Sequence, residues 1–239
     1  MALNLRRILP LVCIFGMGAL VAHATADGPD HYQVSGVMPG DVLNMRTGPS
    51  AQSAIVGQIP PDTDGLLSFG CVGGLSFDAW QSAGAEERAA GLKTRWCLVG
   101  YDRVIGWSAG WYLSEGGDPD AMNAGARRMD VAGTEWLLRD LAGVPAQAEA
   151  WLRFDGDGSA FGDSGCNRFS GPYQASPERL SFGALAMTKR ACMGPKGEME
   201  GAFMAALART HRVAATDRVL ALLDSDNRLM ATLTRRDAD

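Results

Sequence analysis

Four of the five cysteines constrain the fold of this chain more than any other feature. Cys71 and Cys97 lie 26 positions apart, and Cys166 and Cys192 repeat that spacing in the second half. Three pairings are possible, and the spacing favours one disulfide in each half, Cys71–Cys97 and Cys166–Cys192. Closing such a loop stabilises a small domain by about 3.5 kcal/mol. Four buried thiols or a zinc site are the alternatives, but neither pair has the short spacing of zinc ligands.

The first 26 residues have the pattern of a signal peptide. Arg6 and Arg7 precede the apolar run Ile8–Ala22, and we expect cleavage after Ala24 or Ala26. An uncleaved N-terminal anchor is the alternative. A lipoprotein is not favoured, because the cysteine inside the apolar run lacks the small neighbours of a lipid-attachment site.

The charge balance limits the classes of partner. The chain has a formal net charge of −5, which becomes −7 when Arg6 and Arg7 leave with the signal peptide. Such an acidic chain argues against nucleic acid or an anionic membrane as the main partner. Beyond the signal peptide, no apolar run reaches the roughly 18 residues of a membrane span. We therefore predict a periplasmic or secreted protein with no integral membrane span after cleavage.

A polar segment divides the chain into two halves. Residues 114–126 are small, polar and without a period, and we assign 115–130 as a linker. The domains on either side are then 27–114 and 131–236. The composition of the linker favours movement of one half relative to the other.

The first half has the pattern of a small β-barrel. Short β-like runs separated by turn signals lie at 32–37, 42–45, 55–59, 96–99 and 104–107. Between the first two cysteines of the mature chain, Phe77–Leu92 is rich in Ala and Glu and has helical or flexible character. This insertion is longer than a barrel hairpin needs.

The ordered blocks of the first half resemble a bacterial SH3-like (SH3b) domain over residues 32–113. The matching blocks are Asp41–Ser50, Ile55–Pro60, Trp96–Val99, Ile105–Ser108 and Tyr112-Leu113. The resemblance implies an SH3-like barrel that contacts peptide or peptidoglycan. The insertion at 73–94 departs from the family pattern, in a place where a binding face is expected.

The second half has an α+β pattern, so the whole chain is predicted to be mainly β. Asp155–Gly158 has the turn chemistry of a hairpin. Pro195 opens a helix, whose apolar face carries Met199, Phe203, Ala206, Leu207 and Thr210. The runs Val219–Leu223 and Leu229–Leu233 predict a terminal hairpin. One helix among antiparallel strands is an α+β arrangement.

Residues 131–234 resemble the META domain, the family of the heat-shock protein HslJ. The blocks Gly165–Phe169 and Met187–Cys192, in this order and at this distance, carry the resemblance most specifically. Further matches are Trp136–Leu138, Phe154–Gly158, Leu180, Phe182, Glu200 and Phe203. The resemblance implies a β-rich domain with one packed helix. It also implies a link to heat shock and antibiotic tolerance in bacteria, without an enzymatic activity.

Aromatic residues in the first half are the main candidates for ligand binding. Trp96 and Trp107 lie in strand patterns, so we expect them in the core. Trp80 lies in the insertion, and Trp111 and Tyr112 follow the last strand pattern. These three are the candidate surface residues, because aromatic side chains supply contact area to peptides or sugars at low entropic cost.

Basic residues next to the second cysteine pair are a further candidate site. Arg168 follows Cys166 by two positions, and Lys189 and Arg190 shortly precede Cys192. The predicted disulfide would bring them together as a cationic patch for a carboxylate or another anionic ligand. The alternative is structural: Asn167 shapes a turn, and the charges are ordinary solvated side chains.

The residues do not indicate an enzyme, a metal site or a cofactor. The histidines of the mature chain are His31, ahead of the barrel, and His211, expected at the C-terminus of the late helix. Oxidised cysteines offer no thiolate. The run Asp155–Gly158 superficially resembles a calcium loop, but Ala160 and Cys166 stand where an EF-hand has Gly and Glu.

Three functions from different classes remain open. The leading one is an exported accessory protein of the cell envelope, related to stress, that contacts peptidoglycan or an envelope protein or peptide through its SH3-like half. The second is a secreted inhibitor of a hydrolase that uses the 73–94 insertion as its contact loop. The third is a cell-wall hydrolase with a pair of catalytic carboxylates, which no residue context singles out.

Overall fold

The structure of the protein is a computed structural model that describes residues 29–117, 130–177 and 179–236. The predicted signal peptide at 1–26, with its cleavage points, and most of the predicted linker lie outside these residues. The described chain is mainly β with an α+β second half, which confirms the predicted fold class. Of the helices it contains, none has the length and apolar character needed to cross a bilayer.

Residues 29–117 form an antiparallel sheet of seven strands. The strands are β1 (His31–Val34), β2 (Leu43–Arg46), β3 (Ile55–Ile59), β4 (Leu66–Val72), β5 (Trp96–Tyr101), β6 (Val104–Ala109) and β7 (Leu113–Glu115). Their order across the sheet is β3-β2-β6-β5-β4-β1-β7. Asp102, with φ of 53°, makes the tight β5–β6 turn. Within the sheet, alternate side chains enclose a core that includes Val34, Met45, Ile59 and Val99.

The insertion between β4 and β5 is helical. It contains α1 (Phe77–Ser82) and α2 (Ala85–Leu92), and the Ser76 hydroxyl caps α1 by accepting from Ala79 N. Leu75 packs against Gly91, where a Cβ atom would meet its side chain at 2.6 Å. The helical prediction for this segment is therefore confirmed. The disulfide Cys71–Cys97 joins directly opposed residues of β4 and β5 and closes the base of the insertion.

Residues 130–236 form a second antiparallel sheet that curves into a nearly closed barrel. Its strands are β8 (Thr134–Leu141), β9 (Val144–Pro145), β10 (Trp151–Phe154), β11 (Ser159–Asp163), β12 (Arg168–Ala175), β13 (Leu180–Phe182), β14 (Ala186–Met187), β15 (Arg212–Ala215), β16 (Val219–Leu223) and β17 (Leu229–Arg235). The main path runs β13-β12-β11-β10-β8-β17-β16-β15, with β9 paired to β8 and β14 to β12. A single bridge between Arg179 and Arg212 brings the two ends of this path together.

One helix packs against the second sheet, as predicted. Helix α3 (Pro195–Arg209) begins with Pro195 in its first turn and buries Met199, Phe203, Ala206 and Leu207. Thr210, which was predicted on the same face, is instead the residue that ends the helix; its hydroxyl donates to the Ala206 carbonyl. His211 lies beyond the helix, so Arg209 is the cation of the last turn.

The two sheets share a hydrophobic core. Leu67 and Phe69 of β4, Leu98 of β5, and Ile105 and Trp107 of β6 pack against the second sheet. The partners on that sheet are Ala214, Val219, Ala221, Leu223 and Leu229. Trp107 is fully buried, which agrees with its predicted place in the core. Burial on both faces explains why β16 is apolar throughout: its alternate residues Leu220 and Leu222 face the core around α3.

Hydrogen bonds between described residues also join the halves. Arg212 donates to the Phe69 carbonyl at 3.0 Å, Leu229 N to the Thr47 carbonyl at 2.7 Å, and Arg139 to the Arg103 carbonyl at 2.9 Å. This arrangement differs from the mobility that the linker composition favoured. The physical reason is that the strands at the contact between the sheets are buried on both faces, which the composition of a linker does not reveal.

Candidate functional site

A groove of about 330 Å³ lies at one end of the first sheet. One wall is the loop between β1 and β2, which contains Val37, the exposed Met38 and Asp41. The other wall is formed by Trp96, Trp111 and Tyr112. A volume of this size lies at the lower end of the range for ligand pockets.

The aromatic wall is a continuous row. The rings of Trp96 and Trp111 meet edge to face with centroids 5.5 Å apart, and Trp111 and Tyr112 lie 6.0 Å apart. Trp111 and Tyr112 belong to a single 3-10 turn, Gly110–Tyr112, which follows β6. The Tyr112 carbonyl accepts from Ser35 N at 2.8 Å, and this bond holds the β1–β2 loop against the row.

Charges of both signs border the groove. Asp41 is exposed and uses one carboxylate oxygen to accept from Val42 N at 2.8 Å. Arg46, at the end of β2, donates to the Ser53 carbonyl at 2.8 Å. Asn44 adds an amide, whose oxygen accepts from Gln58. The groove thus combines an aromatic wall with two charged groups. Asp41 can bind an ammonium group, and Arg46 can bind a carboxylate.

Trp80 lies elsewhere, on helix α1 of the insertion. Its side chain is 37% exposed, and the Arg88 guanidinium lies 5.4 Å from the ring centroid. The Arg88 Nε also donates to the Trp80 carbonyl at 2.8 Å. Trp80 does not line the groove. The structure therefore brings together two of the three aromatic candidates, Trp111 and Tyr112, and leaves the third on a separate surface.

The second disulfide, Cys166–Cys192, and the side chain of Asn167 hold the basic candidates close together. The Asn167 Oδ1 accepts from Arg190 N and from the Thr188 hydroxyl, each at 2.7 Å. Its Nδ2 donates to the Arg190 carbonyl at 2.9 Å. Arg168, next along the chain, donates its backbone N–H to the Thr188 hydroxyl at 3.2 Å. The Asn167 side chain therefore joins the Cys166 segment to residues 188–190, and Arg168, Lys189 and Arg190 lie exposed around it.

Glu200 of α3 completes this network. Its carboxylate accepts from Asn167 N at 2.9 Å, from Asn167 Nδ2 at 3.1 Å, and from the Ser164 hydroxyl. Burial opposes ionisation, but these hydrogen bonds outweigh it and lower the pKa of Glu200 below its ordinary value of 4.5. The network anchors the helix to the disulfide segment.

Sequence reasoning missed several residues of the groove. Trp96 was predicted in the core, but it is only half-buried and lines the groove, because it is the first residue of β5 and packs against Trp111. Met38, Asp41 and Arg46 were not singled out. Met38, which is 72% exposed, lies in a loop without a periodic pattern. The apolar pair Val37-Met38 in a segment rich in turn residues was the signal that could have indicated it.

The two histidines lie apart from these surfaces. His31 begins β1, at the edge of its pairing with β4. The Nε2 atom of His211 lies 3.0 Å from the Arg179 guanidinium. Because a guanidinium can only donate, the Nε2 atom of His211 is the acceptor in this contact.

Several solved structures are similar to part of the chain. An NMR structure of a protein from Burkholderia xenovorans is 31% identical, covering 45% of this chain and 85% of its own, with a TM-score of 0.38. A second NMR structure is 24% identical, covering 43% of this chain and 88% of its own, with a TM-score of 0.36. The crystal structure of a DUF4847 family protein from Bacteroides vulgatus ATCC 8482 is 15% identical, covering 46% and 96%, with a TM-score of 0.36. Among curated proteins, none matches.

A protein family also matches the chain, over the second sheet and helix α3. The matching family is the META domain, and the match spans residues 129–237. This span agrees with the resemblance carried by Gly165–Phe169 and Met187–Cys192. The SH3-like assignment of residues 27–114 stays a prediction. Residues 129–237 of the chain are therefore a META domain.

Proposed function

We propose that this protein is an exported, stress-related accessory protein of the bacterial cell envelope that binds peptide or the peptide part of peptidoglycan. The META domain supports the setting, since the family is linked to heat shock and antibiotic tolerance. The two disulfides support export, because disulfides persist in oxidising compartments outside the cytoplasm. The signal-peptide pattern of residues 1–26 agrees with this proposal.

The observation that carries the binding proposal is the groove beside Trp96, Trp111 and Tyr112. Its aromatic row offers contact area to small apolar side chains such as the alanines of a peptidoglycan stem peptide. Asp41 and Arg46 fit the ammonium and carboxylate groups of such a zwitterionic peptide. An SH3-like first half would place this groove on a peptide-binding barrel.

The proposal is not enzymatic. The cysteines are joined in disulfides, and His211 accepts a hydrogen bond from Arg179 rather than from a nucleophile. A binding role needs no reaction at the groove, and none is proposed.

Co-sedimentation with purified peptidoglycan sacculi tests the proposal. We expect the intact protein to sediment with sacculi and Trp111→Ala to bind at least about tenfold more weakly, as for other buried aromatic contacts. Met38→Glu should weaken binding similarly, because it places a charge on an exposed rim without disturbing the fold. Trp80→Ala is the matched control and should bind normally.

Two results would oppose the proposal. Sedimentation that is unaffected by Trp111→Ala and Met38→Glu would exclude the groove as the contact. Release of soluble fragments from the sacculi would instead favour a hydrolase with two carboxylates.

A second candidate function is inhibition of a hydrolase. The observation that favours it is the helical insertion at 73–94, whose base is closed by Cys71–Cys97 and whose surface presents the exposed Trp80. An insertion whose base is held by a disulfide loses little conformational entropy when it enters the active-site cleft of a hydrolase. Replacing residues 75–93 by Gly-Ser-Gly should abolish inhibition of envelope lysozymes or proteases. Unchanged enzyme rates in the presence of the intact protein would exclude this function.

A further inference from the structure

The outer face of the META sheet carries a second depression, of about 600 Å³, on strands β10, β11, β12 and β14. Its floor contains Trp151 and Phe161, whose rings meet edge to face with centroids 6.2 Å apart. Both rings are only half-buried. The polar rim is formed by Arg168, Ser170 and Thr188.

Strand alternation places these side chains outside the barrel. Leu152 and Phe154 of β10 are fully buried, so their neighbours Trp151 and Arg153 point to the opposite face. Trp151 lies opposite Asp163 of β11, which in turn lies opposite Arg168 of β12. The aromatic floor and the Arg168 guanidinium are thus on one face, within two strands of each other.

Arg168 lines the depression, and Lys189 and Arg190 directly follow the lining residue Thr188 along the chain. The side chains of Arg168, Lys189 and Arg190 are exposed, and within the described part of the chain none of them forms an ion pair or a hydrogen bond. The bonds from Asn167 to Thr188 and Arg190 keep the three close in space. Such a cluster is unexpected in a chain with a net charge of −5.

One carboxylate lies within this surface. Asp163 uses its Oδ1 to accept from Gly165 N at 2.8 Å, and it lies opposite Arg168 in the sheet. Asp163 and the Glu200 carboxylate, which accepts from Asn167, together offset two of the three cations. The rim therefore keeps a net positive charge beside an apolar floor.

We propose that this depression binds a small amphiphilic anion. The ligand places an apolar ring or chain against Trp151 and Phe161 and directs a carboxylate or phosphate to Arg168, with Lys189 and Arg190 adding attraction. This site is independent of the groove in the first sheet. Two classes of molecule have this chemistry: soluble aromatic carboxylates or phosphates, and lipids with an anionic headgroup.

Calorimetric titration of the full chain, with both disulfides intact, tests the proposal. We expect phenyl phosphate to bind at least about tenfold more tightly than either phenol or inorganic phosphate, because only phenyl phosphate engages both the floor and the rim. Tighter binding of dodecyl phosphate than of phenyl phosphate would assign the ligand to the lipids, and the reverse order to the soluble aromatic molecules.

Three variants locate the site. Arg168→Glu should weaken binding of phenyl phosphate by about tenfold or more, whereas Asp163→Asn, which keeps the acceptor for Gly165, should strengthen it. Arg218→Glu makes the same charge change on the β15–β16 connection and should have no effect. Equal binding of phenol and phenyl phosphate, equal losses in the two arginine variants, or no gain with Asp163→Asn would overturn the proposal.

Discussion

Glu200 shows how one carboxylate can connect a helix, a strand connection and a disulfide segment. It accepts from Ser164 and from both nitrogens of Asn167, while Asn167 holds the backbone of Arg190. Hydrogen bonds to a charged carboxylate are stronger than those to a neutral group. The ionised form of Glu200 therefore contributes to the stability of the folded META domain.

The first prediction concerns the pH dependence of this contribution. Because the folded pKa of Glu200 lies below 4.5, its contribution is fully present above pH 4.5 and is lost as the pH falls through the lower, folded pKa. Glu200→Gln should lower the free energy of unfolding by about 1 kcal/mol at pH 7. Urea unfolding at pH 7 and at pH 3 should show this difference shrinking in acid. A difference that is constant with pH would contradict the assigned role of the charge.

Single positions also mark the limit of prediction from the sequence. The strand pattern located Trp107 correctly, because a fully buried residue follows the periodicity of its strand. The same reasoning misplaced Trp96, whose exposure depends on Trp111, fifteen positions away. Asn167 was considered only as a turn residue, and its bonds to Glu200 depend on the position of α3 and leave no local signal.

The helical insertion is the element that most distinguishes the first half. Its helices are connected to the sheet through β4 and β5, and the disulfide lies at the point where these strands end. Among the side chains that the structure describes, the core of the first sheet contains no residue of α1 or α2. The insertion and the sheet should therefore differ in what they contribute to stability.

The second prediction separates those contributions. Replacing residues 75–93 by Gly-Ser-Gly should change the free energy of unfolding by less than about 1 kcal/mol, as for other surface changes. Replacing Cys71 and Cys97 together by serine should cost about 3 kcal/mol, because the loop they close no longer restricts the unfolded chain. Denaturant unfolding of the two variants provides the comparison. Greater damage from trimming the insertion would show that the helices support the sheet.

Elements with strong local signals were predictable. Pro195 at the start of α3, the turn at Asp155–Gly158 and the apolar runs of β16 and β17 all appear in the structure. Glu115, the first residue assigned to the linker, belongs to β7, which pairs with β1. A short edge strand is difficult to recognise from the sequence. Pairing with the neighbouring strand supplies most of its stability, and the propensities of its own residues supply little.

The whole molecule is organised around the contact between its two sheets. Trp107 and Phe69 from the first sheet and Ala221 and Leu223 from the second lie in one apolar cluster. Separate halves would expose these surfaces to water, at a cost proportional to the apolar area. We therefore expect the halves to unfold together despite their separate disulfides.

The third prediction follows from this shared core. Trp107→Ala should lower the free energy of unfolding by about 3–5 kcal/mol and should speed amide exchange in β16 of the other half. Thermal unfolding should remain a single transition. Trp80→Ala, on the exposed insertion, is the control and should have a small effect. Two separate transitions, with Trp107→Ala affecting only the first, would contradict a common core.

We propose that the aromatic groove of the first sheet is the surface that contacts the cell envelope. Hydrogen-exchange mass spectrometry, with muropeptides released from purified sacculi as the ligand, tests this claim across every surface at once. We expect slower exchange in residues 35–46 and 110–113 on addition of muropeptides, with no change in α1, α2 or the Arg168 surface. Unchanged exchange at the groove, or protection confined to the insertion, would contradict it.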